Sequence, residues 1–71
     1  MIEVFKTDVT HQQQAVFLLD LLHKTFADAM VTIDLEDCDK VMRFESTSEV
    51  PIADVLWVVK AGGFVAEMLP D

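Results

Sequence analysis

Apolar and polar positions along the chain change period four times. Ile2 and Val4 alternate with Glu3 and Phe5, the two-residue period of a short strand. Thr10 is followed three residues later by Gln13, the spacing of a capping box, which predicts the start of a helix. Ala15, Leu18, Leu19, Leu22 and Phe26 then fall within a narrow arc of the helical wheel, the expected buried stripe of a helix that ends near Thr25. Val31, Ile33 and Leu35 alternate with Thr32, Asp34 and Glu36. Beyond the polar stretch EDCD, Met42 and Phe44 alternate with Val41, Arg43 and Glu45, and the two runs together predict an antiparallel hairpin.

The stretch STSEVP is rich in capping residues and reads as the entry to a second helix, with Pro51 tolerable only in its first turn. Ile52, Val55, Leu56 and Val59 repeat the helical stripe, and Gly62-Gly63 supplies a residue free to adopt the positive φ that ends helices. FVAEML makes a last short strand. Phe64, Ala66 and Met68 are wholly apolar and the other set contains Glu67, which leaves the inward face open between them. The order βαββαβ closes most simply as an α+β, ferredoxin-like sandwich, with two helices on one face of a four-stranded antiparallel sheet and the other face bare.

Composition narrows the function classes. With 71 residues the chain makes one domain, residues 1–71, near the size at which a single core barely suffices without staples. The lone Cys38 excludes an internal disulfide, and the first residues lack both the basic and the continuous apolar stretch of a leader, so cytoplasm is the expected location. Thirteen acidic against five basic residues would repel phosphate backbones and anionic lipid, so no nucleic-acid partner is expected. The apolar runs fall far short of the roughly 20 residues that span a bilayer, and no membrane association is expected.

The element order, the length and the ending KAGGFVAEML resemble the heavy-metal-associated domain of copper chaperones and metal-pumping ATPases over nearly the whole chain. That family carries a Met-Thr-Cys-x-x-Cys loop, which aligns without a gap on Lys6-Thr7-Asp8-Val9-Thr10-His11, where both cysteines are absent. The chain also resembles short bacterial proteins that open on a similar EVFKT and carry a DLEDCDK hairpin. The resemblance implies the fold and a degenerate member without its metal site, since Cu(I) is soft and the family holds it through two thiolates. Asp8 and His11, with Cys38 as a third donor, could at most rebuild a weak Zn²⁺ or Ni²⁺ site, because tetrahedral sites want three or four ligands and His23 lies too far along the helix to help. That site is the alternative; the expected reading is that Asp8 and Thr10 cap the first helix, or favour it through its dipole, and that His11 is a solvated first-turn residue. No cofactor is expected.

DLEDCDK crowds Asp34, Glu36, Asp37, Cys38 and Asp39 into one hairpin. Counted from Asp34, Glu45 takes the twelfth position of an EF-hand loop, but the sixth is Asp39 instead of the glycine that loop requires, and the flanks are strands. The acids read instead as a soluble hairpin tip, with Cys38 a turn residue whose thiolate is disfavoured by Asp37 and Asp39. Ser46, Thr47 and Ser48 read as helix-entry residues, and no base and nucleophile pair stands out, so an enzyme is not expected.

What remains is a surplus of apolar surface: 52 % of residues are apolar in a fold whose sheet is covered on one side only. Phe17 falls on the far side of the first helix with Leu21 well off its stripe, and Trp57 and Val58 depart similarly from the second. Phe17, Leu21 and Trp57 are the expected interface residues, with Phe17 and Trp57 as first anchors, and Phe5 and Val41, assigned to the bare sheet face, are the alternative. The alternative for Leu21 and Val58 is that they wedge between the helices. The function expected is a non-enzymatic interaction module that binds a protein partner or forms a homodimer.

Overall fold

The computed structural model describes residues 1–69. Six elements follow in order: β1 (Ile2–Thr7), α1 (Gln12–Thr25), β2 (Met30–Ile33), β3 (Met42–Glu45), α2 (Ile52–Ala61) and β4 (Ala66–Met68). The sheet order is β2-β3-β1-β4 and each neighbouring pair is antiparallel, which is the ferredoxin-like sandwich the periodicity predicts.

Register decides which side chains become the core. Phe5 lies opposite Met42 on one side and Met68 on the other, and Val31 lies opposite Phe44. Residues directly paired across a sheet share a face, so Phe5, Met42, Phe44 and Val31 turn together toward the helices and are buried. Phe5 is fully buried, which corrects its assignment to the bare face beside Val41. Its true partner is Met42, the neighbour of Val41, and a slip of one residue exchanges the two faces. Ile2, Val4 and Lys6, with Val41, Arg43 and Glu45, point the other way.

Helix α1 buries Ala15, Leu18 and Leu22 against the sheet, while Leu19 and Phe26 are half-buried. Phe26 lies just past the helix and meets Phe44 edge to face, ring centroids 5.4 Å apart and planes at 90°. Helix α2 buries Val55, Val58 and Val59, with Ile52 and Leu56 half-buried. Its arc is wider than the sheet alone requires because α2 also packs on α1. Val58 belongs to the core, and Leu21 is half-buried against it, which corrects their placement on a free surface and leaves the wedge as the finding. A Cβ on Gly62 would come within 3.1 Å of Leu21 Cδ2, so the small residue permits this close approach. Gly63, at φ +95°, takes the left-handed conformation that ends α2.

The helix N-terminus departs from expectation in detail. α1 begins at Gln12 with His11 as its first flanking residue, and Gln14, not Gln13, reaches back: its Oε1 accepts the Thr10 and His11 amides at 3.0 and 3.1 Å and the Thr10 hydroxyl at 3.1 Å. Strand β4 spans three residues of the expected six.

Candidate functional site

At the end of β1 the segment aligned with the metal loop is occupied by structural hydrogen bonds. The Thr7 hydroxyl donates to the Lys40 carbonyl at 2.6 Å and its amide to Asp39 O at 3.1 Å, which ties β1 to the β2–β3 loop. Asp8 Oδ1 accepts the Val65 amide at 2.8 Å, so it fastens β1 to the chain entering β4 and does not cap α1, as it was expected to. Val9 is fully buried, and the His11 side chain is exposed. Among the described residues the single set of three candidate ligands within 4.8 Å of one another is Asp37, Cys38 and Asp39. Asp8, His11 and Cys38 therefore do not converge as a three-ligand centre. A thiol between two hard carboxylates is a mismatched donor set, and acids of this hairpin are already engaged in holding its turns. Asp34 Oδ1 accepts the Glu36 amide at 3.0 Å and Asp37 Oδ1 the Asp39 amide at 2.8 Å, two successive side-chain-stabilised turns that place Cys38 at an exposed bend. Lys40 completes the loop at φ +48°, its Nζ donating to Leu35 O at 2.7 Å.

His23 has a role that spacing alone did not reveal. Its Nε2 accepts the Val31 amide at 3.3 Å, which caps an outward N–H of the edge strand β2 and requires a ring unprotonated at that nitrogen.

Opposite the helices no element among the described residues covers the sheet. Its outward rows follow from the register: Ile2, Glu45 and Met30 lie abreast at one end, Val4, Arg43 and Thr32 in the middle, and Lys6 with Glu67 toward the other end. Ile2 is 52 % and Met30 69 % exposed, and Val65, two residues before Glu67, is 62 % exposed. On the outer side of the helices Phe17 and Trp57 are exposed as expected, at 55 % and 71 %. Val41 is half-buried on the bare face.

Beside the row of Ile2, Glu45 and Met30 the surface dips into a cleft of about 370 Å³ that Met1, Asp28, Ser46 and Thr47 complete. One of its walls is a clasp: Asp28 Oδ2 accepts the hydroxyls of Ser48, Thr47 and Ser46 at 2.9, 3.0 and 3.4 Å. These bonds, from Ser48 first and then Thr47, hold the Asp28 carboxyl below its ordinary value of 3.8. Ser46, Thr47 and Ser48 thus lock the α1–β2 turn to the β3–α2 connection, and helix α2 is entered at Pro51 without them, contrary to the helix-entry reading. Ile2, Met30 and Asp28 were missed in the sequence. For the first two the face is set by register, a pairing of β1 and β2 with the distant β3 that no local period states. Asp28, in the short stretch ADAM, carries no local signal of its contacts.

Compared with protein-family models, with curated proteins and with solved structures, the chain matches none. No helix among the described residues is long and apolar enough to cross a membrane.

Proposed function

We propose that the protein is a non-enzymatic cytoplasmic interaction module, a relative of the heavy-metal-associated domain whose metal loop has become a structural junction, and that it works through its bare sheet face. The observation that carries this reading is the exposure of Ile2 and Met30 side by side with the cleft, on a face that no element among the described residues covers. Large exposed apolar side chains gathered on one face mark contact surfaces more often than scattered ones do. Phe17 on α1, with the exposed Val16 next to it in sequence, and Trp57 on α2 lie in the helix layer and serve as a second contact point. The rebuilt Zn²⁺ or Ni²⁺ site draws no support from the geometry, because Asp8 is engaged by Val65 and, among the described residues, three ligands do not gather around His11.

The experiment compares wild type with an Ile2→Ser, Met30→Ser double variant and with Phe17→Ser, by light scattering at about 100 μM, well above common dimer constants, and by recovery of partners from cell extract. The reading expects assembly or partner recovery that the double variant abolishes. Phe5→Ser is unsuitable, since it would report on core stability.

A further inference from the structure

We infer that the free edge of β4, with the groove beside it, takes an extended segment of another protein as a fifth strand, one that carries an apolar side chain and, two residues later, an acidic one. This surface is separate from the bare sheet face. The two edges of the sheet differ. At the β2 edge the Val31 amide is already given to His23 Nε2 at 3.3 Å, whereas the β4 edge is open. Leu69 N donates to Val4 O at 3.1 Å and Asp8 N to Val65 O at 3.3 Å, so Val65, Glu67 and Leu69 turn their backbone groups toward β1 and the alternate residues, Ala66 and Met68, turn theirs outward. Among the described residues nothing accepts those two amides or donates to those two carbonyls. Four ladder groups are thus left for one more strand.

A groove of about 240 Å³ lies beside this edge, lined by Leu56, Lys60, Phe64, Val65 and Ala66. Ala66 is paired with the buried Thr7, so its side chain faces the helix layer, and so does that of any residue added opposite it. The chain reverses at Gly62-Gly63 and the Phe64 amide donates to Val59 O at 3.1 Å, so α2 runs back along β4 with Lys60 near Phe64 and Leu56 one turn deeper, toward Ala66. All three existing strand pairs are antiparallel. In an antiparallel addition the residue opposite Ala66 enters the groove against Leu56, and the residue two later, opposite Phe64, reaches Lys60. The Lys60 ammonium has no acceptor among the described residues, so a carboxylate completes that position. A second copy of this chain is the poorer occupant. Pairing Ala66 and Met68 across two β4 strands sets Glu67 of one copy directly opposite Glu67 of the other, and like charges so placed are destabilising. A β2 strand added there has its Val31 amide already taken, and that head-to-tail contact gives no closed pair.

The test titrates isotope-labelled protein with the blocked hexapeptide acetyl-Thr-Val-Thr-Leu-Thr-Glu-amide, with the same peptide N-methylated at leucine, and with one ending in lysine instead of glutamate. The expected result is saturable shifts of the Leu56, Lys60, Phe64, Ala66 and Met68 amides at millimolar affinity, with slowed exchange at Ala66 and Met68. The N-methylated peptide, which lacks the donor for Ala66 O, should not bind. Lys60→Glu, an exposed change on α2, should weaken the glutamate peptide at least about threefold and strengthen the lysine peptide. Equal binding of the N-methylated peptide, affinity indifferent to Lys60→Glu, or no binding at about 5 mM peptide would overturn the inference. A protein that dimerises alone with its Ala66 and Met68 amides protected would assign the edge to a second copy and overturn the partner segment. The Ile2→Ser, Met30→Ser variant should bind the peptide as wild type does, so this edge and the bare face are judged independently.

Discussion

Phe5 and Ile2 differ by three positions and by the whole thickness of the sheet. Phe5 is fully buried between Met42 and Met68, so Phe5→Ser should remove about 3–5 kcal/mol of stability, whereas Ile2→Ser, on the bare face, should cost under about 1 kcal/mol. Urea unfolding of the two variants checks this, and similar losses in both would mean that the face assignment is wrong. Asp28 gives a second test at the same scale. Its carboxyl is lowered in the folded state, so the clasp stabilises fully above the ordinary aspartate value of 3.8 and the contribution is lost as pH falls through the lower folded value. Wild type should therefore lose stability on acidification below that value more steeply than Asp28→Asn, while at neutral pH the variant should be the less stable. Parallel pH profiles would mean that Asp28 is not a structural carboxylate.

Each element is bounded by side chains whose role the periodicity could only partly announce. Gln14→Ala deletes the acceptor of two orphan amides and one hydroxyl at the start of α1 and should cost about 1 kcal/mol, read from thermal unfolding. At the other end of α1, His23→Ala should leave the fold intact and speed hydrogen exchange at the Val31 amide, because no other acceptor among the described residues meets that edge N–H. Unchanged exchange would show that strand pairing alone protects it. Two stripes, one hairpin and Gly63 were legible because a local period or a steric need writes them into consecutive residues. Register was not: Phe5 and Val41 are each apolar, and only the pairing of Phe5 with Met42, a contact between distant segments, tells which of them turns inward. Leu21 and Val58 were ambiguous for a related reason, since a helix stripe marks the face toward the sheet and says little about the face toward a second helix. The cleft was illegible altogether, being assembled from β1, the turn before β2 and the end of β3.

The molecule as a whole has a thin core and a one-sided cover. Among the described residues, twelve buried apolar side chains lie between the helices and the sheet, while Ile2, Met30 and Val65 are left outside on the opposite face. Burying those three on a partner would add roughly 25 cal/mol for each Å² of apolar area removed from water. The segment that aligns with that family's metal loop is a junction of Thr7, Asp8, Lys40 and Val65. Elemental analysis of the purified protein should accordingly find no stoichiometric metal, and His11→Ala should leave partner binding intact; micromolar Zn²⁺ binding lost in that variant would restore the metal reading. The central claim, that the bare sheet face is a protein contact, is tested most directly by the mass of the assembly captured from cell extract with wild type and with the Ile2→Ser, Met30→Ser variant. The account predicts a defined complex heavier than the 8.0 kDa chain for wild type and the chain alone for the variant. A wild-type chain that elutes at 8.0 kDa without company, or a complex indifferent to the two substitutions, would contradict it.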